Sequence, residues 1–297
     1  MTTRSLNRPD WTTFLGEVPA VAWVLVGAAA IDLVVHANGQ GLIGPAADVE
    51  PAAVIRALAA ATSFLLAAAI VIGADRWPAG RSLLRWSAGA FALHGLMELG
   101  WQAWFTWWLG ANPQPSSDAE QTALLVRTSI STVAAAVAWV LLAVGILVAR
   151  PSRSTIGRGR MAAIIAIGAL GLVAVGAELA LAGQGVGREA DRLRLMTGVL
   201  YALVALGFAA SAALAIAALR GMPIRDGLPE LLLAGGAALM LAGAAWSQTF
   251  LVLTDISQST LEAVAWNFTV PSAVGLLGTL LLIAGFASGR LFPHSDA

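Results

Sequence analysis

Apolar residues run through the chain in blocks of about 20 or more, separated by short polar joints. The blocks predict spans at Val18–Ala37, Ala52–Gly73, Ser82–Leu109, Ala119–Ala149, Met161–Ala182, Leu195–Leu219, Pro229–Leu253 and Leu261–Phe286. Each has roughly the 20 residues that an α-helix needs to cross about 30 Å of hydrocarbon. Pro51 stands where proline favours a helix start. Ser117 to Glu120 and Ser259 to Glu262 read as capping boxes, serine at the N-cap and glutamate three residues on. The first block follows Arg4 and Arg8 and has the outline of a signal peptide. It continues through Asp32, however, and has a counterpart later in the chain, so it reads as a retained span. The expected fold is an all-α integral membrane protein of eight transmembrane helices.

The eight blocks fall into two similar sets of four. The first ends Asp32…Ala37-Asn38-Gly39-Gln40-Gly41 and the fifth ends Glu178…Ala182-Gly183-Gln184-Gly185. Trp101 and Phe105 in the third recur as Trp246 and Phe250 in the seventh, and Pro78 recurs as Pro223 in the joint before it. The last turns match as Gly145 and Arg150 against Gly285 and Arg290. This common order predicts a tandem duplication, residues 1–150 and 151–297. An even number of spans per unit makes the repeats parallel, related by an axis along the membrane normal.

Charge sets the orientation. With the N-terminus inside, arginines 4, 8, 76, 81, 85, 150, 153, 158, 160, 220, 225 and 290 lie on the cytoplasmic side; 56, 127, 188, 192 and 194 lie on the other. The excess marks the cytoplasmic face, so both termini are expected there, in a multi-pass protein of the plasma membrane. Composition then removes alternatives. Hydrophobic residues make up 58% of the chain and charged residues 11%, which leaves no stretch for a soluble domain. Cysteine is absent, excluding disulfides, thiolate-held metal clusters and covalent haem. All 17 basic residues are arginine, so no Schiff-base cofactor is available. No cofactor is expected. Zero net charge argues against a nucleic-acid partner; the bilayer, and a small solute or a membrane protein, are the expected partners.

Candidate chemistry lies mainly in the first unit. Ionisable groups inside a span are costly and persist where something satisfies or uses them. Asp32 and His36 are four apart and share a helix face, as do His94 and Glu98, whose stripe continues through Gln102. Trp104, Trp107 and Trp108 mark the outer aromatic belt. They place Glu98 a turn or two below the outer surface and His94 near mid-membrane, with Asp32, Arg56 and Arg127 in the same outer layer as Glu98. Three arrangements suit these residues. One is internal ion pairs, such as Asp32–Arg56 and Glu98–Arg127. Another is an outward-facing polar pocket in the first unit, through which a solute or protons pass. A metal site is the third, disfavoured by the differing depths of the two histidines and by the nearby arginines.

The second unit keeps Glu178 opposite Asp32 but carries Ala182, Leu239 and Gly243 at the places of His36, His94 and Glu98. Its polar candidates are Glu178, Tyr201, Gln248 and Asn267. Pro271 sits inside the last span and predicts a kink there. No phosphate loop, nucleophile elbow or paired metal-ligand motif is present, so no catalytic residue or metal ligand is assigned. The sequence is read as that of a solute-handling, permease-like membrane protein. The alternatives are a structural or assembly subunit of a larger membrane complex and a membrane-embedded redox or metal-dependent enzyme.

Overall fold

The computed structural model describes residues 18–43, 50–111, 118–149, 156–185, 191–221, 227–254 and 260–291, with the side chains at 107–111, 118–124, 184–185, 191–196, 261–262, 264 and 289–291 excepted. These residues form eight α-helices and no strand: α1 (Ala20–Gly39), α2 (Pro51–Gly73), α3 (Arg81–Ala111), α4 (Asp118–Ala149), α5 (Arg158–Gly185), α6 (Asp191–Gly221), α7 (Leu228–Leu253) and α8 (Leu261–Leu291). One 3₁₀ turn, Ala74–Arg76, follows α2. Seven of the helices are long and apolar enough to cross a membrane, the mark of a multi-pass helical membrane protein. The helix that falls short is α3. It is 31 residues long, but His94, Glu98, Gln102 and two arginines dilute its apolar content.

Two expected details lie partly outside the described residues. Ser117 and Ser259, read as N-caps, are among the undescribed positions, as are the side chains of Trp107 and Trp108. At the second box the observed cap is Thr260, whose Oγ1 accepts from the Ala263 N–H at 3.2 Å. That places the N-cap one residue later than the serine.

Helix packing follows a simple exchange rule. Within the first four helices α1 packs on α2 and α3, α2 on α3, and α3 on α4; α5–α8 repeat this pattern pair for pair. The two sets meet where α4 packs on α6 and α2 on α8. Each contact maps onto another when helices one to four are exchanged with five to eight.

The closest approaches are made at glycines. A Cβ on Gly236 would lie 2.6 Å from the Gly278 carbonyl oxygen, and one on Gly243 2.6 Å from that of Pro271. Gly80 abuts the Gly145 carbonyl in the same way, and Leu84 packs onto Gly145 as Leu233 packs onto Gly285. Small residues let helix backbones meet where lipid gives no hydrophobic drive for association. Counted from the Leu84–Gly145 and Leu233–Gly285 contacts, Gly243 stands as far along α7 as His94 does along α3, and Pro271 as far back along α8 as Ser131 along α4. This is one turn further along α7 than Leu239, the residue that matching Trp101 with Trp246 sets against His94. Pro271 lies inside the continuous α8, its carbonyl against Gly243.

The buried core is concentrated at one end of the bundle. Its largest fully buried side chains include Leu66 and Ile70 of α2, Leu84 of α3, Leu142 and Ile146 of α4, Leu214 of α6, Leu233 of α7, and Leu282 and Phe286 of α8. This is where α2, α4, α6 and α8 finish and α3 and α7 begin. Trp77, in the joint before α3, seals it edge-on against Phe286 at 5.2 Å. Beyond this core, towards the far end of α3 and α4, buried side chains become sparse and the polar residues begin.

Candidate functional site

Antiparallel register between α3 and α4 assembles the site. Ser87 Oγ donates to the Ala138 carbonyl at 2.8 Å. Seven residues up α3 and seven down α4, His94 meets Ser131. Four further on each helix, Glu98 meets Arg127 in an ion pair. A two-turn step is what carries a side chain back to the same helix face. The pairing therefore follows once the first contact is set.

Glu98 accepts from two directions. Arg127 Nη2 donates to its Oε2, and the Ser131 hydroxyl donates to its Oε1 at 2.6 Å. Arg127 also lies 5.2 Å over the ring of Trp101, a cation–π contact. Both charged side chains are about a quarter exposed, at 25% and 28%. His94 Nδ1 is 2.8 Å from Ser131 Oγ and 3.2 Å from the Ser131 carbonyl oxygen. His94, Ser131, Glu98 and Arg127 thus form one hydrogen-bonded chain. Ser131 is the member that sequence reasoning missed: a lone serine in an apolar helix carries no signal until the α3–α4 register is known.

Asp32 and His36 sit nearby on α1. Ala22, Ala29 and Asp32 are the fully buried residues of that helix, a stripe with steps of seven and three. His36 Nδ1 approaches Asp32 Oδ1 to 2.8 Å, yet its N–H is better aimed at the Asp32 carbonyl oxygen, 3.1 Å away. The carboxylate is therefore a close neighbour of the ring without an aligned hydrogen bond to it. Neither carboxylate oxygen of Asp32 has an aligned donor among the described residues.

The Asp32–Arg56 pair expected from sequence does not form. Arg56 is exposed and its Nε donates to Gln40 Oε1 at 3.1 Å. Arg56→Ala should therefore shift stability by under about 0.5 kcal/mol in a chemical or thermal melt, as for an isolated surface contact. A loss of several kcal/mol would mean a buried partner. Gln102 Nε2 donates weakly to Thr106 Oγ1 at 3.4 Å, and Gly39 lets α1 close onto that side chain.

Second-unit candidates are scattered. Glu178 is buried on α5, with Oε2 lacking a partner among the described residues, and Gln248 Oε1 is in the same position. Tyr201 is half-buried. Asn267 accepts from Trp246 Nε1 and donates to the Ala263 carbonyl, both at 2.8 Å. No group of three or more His, Asp or Glu side chains suited to a metal occurs among the described residues.

Beside the chain lies a cavity of about 270 Å³. His94, Ser131, Thr132 and Trp139 form one wall, and Gly207, Phe208, Ser211 and Met240 of α6 and α7 form the other. It thus opens between the two sets of four helices, and most of its surface is apolar. Trp139 is held by an edge-on contact with Phe91 at 5.3 Å. Glu98 and Arg127 do not line it; His94 and Ser131 are where the polar chain reaches it. No family model, curated protein or solved structure matches this chain.

Proposed function

We propose that this chain is an eight-span protein of the plasma membrane, both termini cytoplasmic, built from two tandem four-helix units. In this reading it handles a small solute in the manner of a permease, at the cavity between the units. The cavity is the observation that carries the reading. A pocket largely lined by apolar and aromatic groups, with a few converging polar ones, is the usual form of a small-molecule site. Its place at the boundary between repeats is where transporter sites occur. The eighth span is α3, which packs between α2 and α4 and turns Gln102 onto α1 and Glu98 onto α4. The exchange rule in the helix contacts supports duplication, and the arginine excess at the core end supports the orientation.

The absence of cysteine gives a clean test. Thr132→Cys, in the cavity wall, should react in intact cells with a charged, membrane-impermeant methanethiosulfonate. Gly157→Cys, in the joint between the units, should react only after permeabilisation. A Thr132→Cys protein that stays unlabelled in cells but labels fully when unfolded would remove the solute site. Labelling of Gly157→Cys from outside would invert the orientation.

The rival reading, a subunit of a larger membrane assembly, draws on α5. Gly168, Gly176 and Gly183 face nothing within 4 Å and leave that helix open to close approach by a partner helix.

A further inference from the structure

His94 holds a defined hydrogen-bonding role towards the cavity, set by its neighbours in three steps. Arg127 and Ser131 each donate to Glu98, one to each carboxylate oxygen. A serine hydroxyl has one proton, and that of Ser131 is committed to Glu98 Oε1. Ser131 Oγ can then only accept from His94, and the Ser131 carbonyl oxygen beside it can only accept as well. His94 must therefore carry its proton on Nδ1. Glu98 is shared between Arg127 and Ser131 and makes no hydrogen bond of its own to the ring. His94 Nε2 keeps a lone pair and takes no partner among the described residues. Because Nδ1 is turned to Ser131 and the ring lines the cavity, Nε2 is the nitrogen left for a guest.

We infer that the cavity takes a small lipophilic molecule bearing one hydroxyl or N–H donor, of the aryl-alcohol, phenol or indole class, whose donor bonds His94 Nε2. This rests on the solute-site reading and names its substrate class. Size supports it: a cavity of about 150 Å³ admits benzene, so 270 Å³ suits two fused rings. The wall supports it too. Trp139 and Phe208 offer ring faces and edges, and Met240 a thioether that favours aromatic contact. A guest that brings only acceptors would face the His94 lone pair unpaired, and a buried acceptor without a donor is penalised.

The test uses purified protein in lipid nanodiscs, with empty discs subtracting partition into lipid. Equilibrium dialysis compares 2-naphthol with 2-methoxynaphthalene, which has the same rings and no donor. Wild type should bind 2-naphthol on the order of tenfold tighter, as one hydrogen bond supplies. In His94→Leu that preference should vanish while the methoxy compound still binds. Glu98→Gln weakens this order. Its amide donates to Ser131 and frees the hydroxyl to donate to His94 Nδ1, in competition with the Nδ1–H bond to the Ser131 carbonyl; the preference for 2-naphthol should fall, and 2-acetylnaphthalene, an acceptor, should bind better than it does to wild type. Gly207→Leu projects into the cavity, where an added Cβ meets only Trp139 at 3.8 Å, and should abolish binding of all three probes. Equal binding of 2-naphthol and its ether by wild type, or a preference that survives His94→Leu or Glu98→Gln unchanged, overturns the acceptor assignment and leaves the cavity standing. Failure of every probe to bind above empty discs, or indifference to Gly207→Leu, overturns the solute site itself.

Discussion

Glu98→Ala should destabilise the protein by about 3 kcal/mol, read as loss of unfolding free energy in detergent or as reduced yield of monodisperse protein. The figure is the low end for stripping one partner from a buried ion pair, because each side chain here is about a quarter exposed. The change orphans two donors at once: the Arg127 guanidinium, whose Nε already lacks a partner, and the Ser131 hydroxyl. Arg127→Ala should cost a similar amount, since Glu98 then keeps only Ser131. The double variant should lose much less than the two single losses added together, because it leaves no uncompensated charge. A coupling near zero in that cycle would mean that the two charges act independently, and the ordered chain from Arg127 to His94 would fall with it.

The helices were the legible part of this protein, and their partners were not. The apolar pattern places the second span at Ala52–Gly73 and the helix is Pro51–Gly73; it places the seventh at Pro229–Leu253 and the helix is Leu228–Leu253. An apolar run bounded by proline and glycine reports its own ends, because those residues act on the local backbone. Asp32, His94 and Glu98 were equally legible as candidates, since charge in an apolar helix stands out whatever surrounds it. Which groups they meet depends on rotation and register between helices, which composition does not encode. Arg56 matched Asp32 in depth yet turns to Gln40. Ser131 looked like any small polar residue until antiparallel register set it between His94 and Glu98. The cavity was illegible for the same reason: it exists because Gly207 of α6 stands across from Trp139 of α4, a pairing between the two halves.

Adjacent glycines on α7 should give opposite results. Gly236→Ala places a methyl 2.6 Å from the Gly278 carbonyl oxygen and 2.9 Å from the Leu282 amide nitrogen, closer than real Cβ atoms come. Both obstacles are backbone, so no rotamer change relieves them, and α7 and α8 must separate along their closest line. The cost should reach or exceed the upper end of about 1–3 kcal/mol for overpacking. Gly235→Ala meets nothing within 4 Å and should be neutral, or stabilising by up to about 1 kcal/mol through helix propensity. Thermal unfolding of both variants in one detergent separates these outcomes. Because Gly236 matches Ser87 across the two halves, its packing also bears on the proposed duplication. Ser87→Gly should be tolerated sterically, losing the hydroxyl's bond to Ala138, about 1 kcal/mol, and roughly 0.5 kcal/mol more for a glycine inside the helix. Equal destabilisation by Gly235→Ala and Gly236→Ala would show that α7 and α8 do not meet at these glycines, and the glycine-matched register would have to be abandoned.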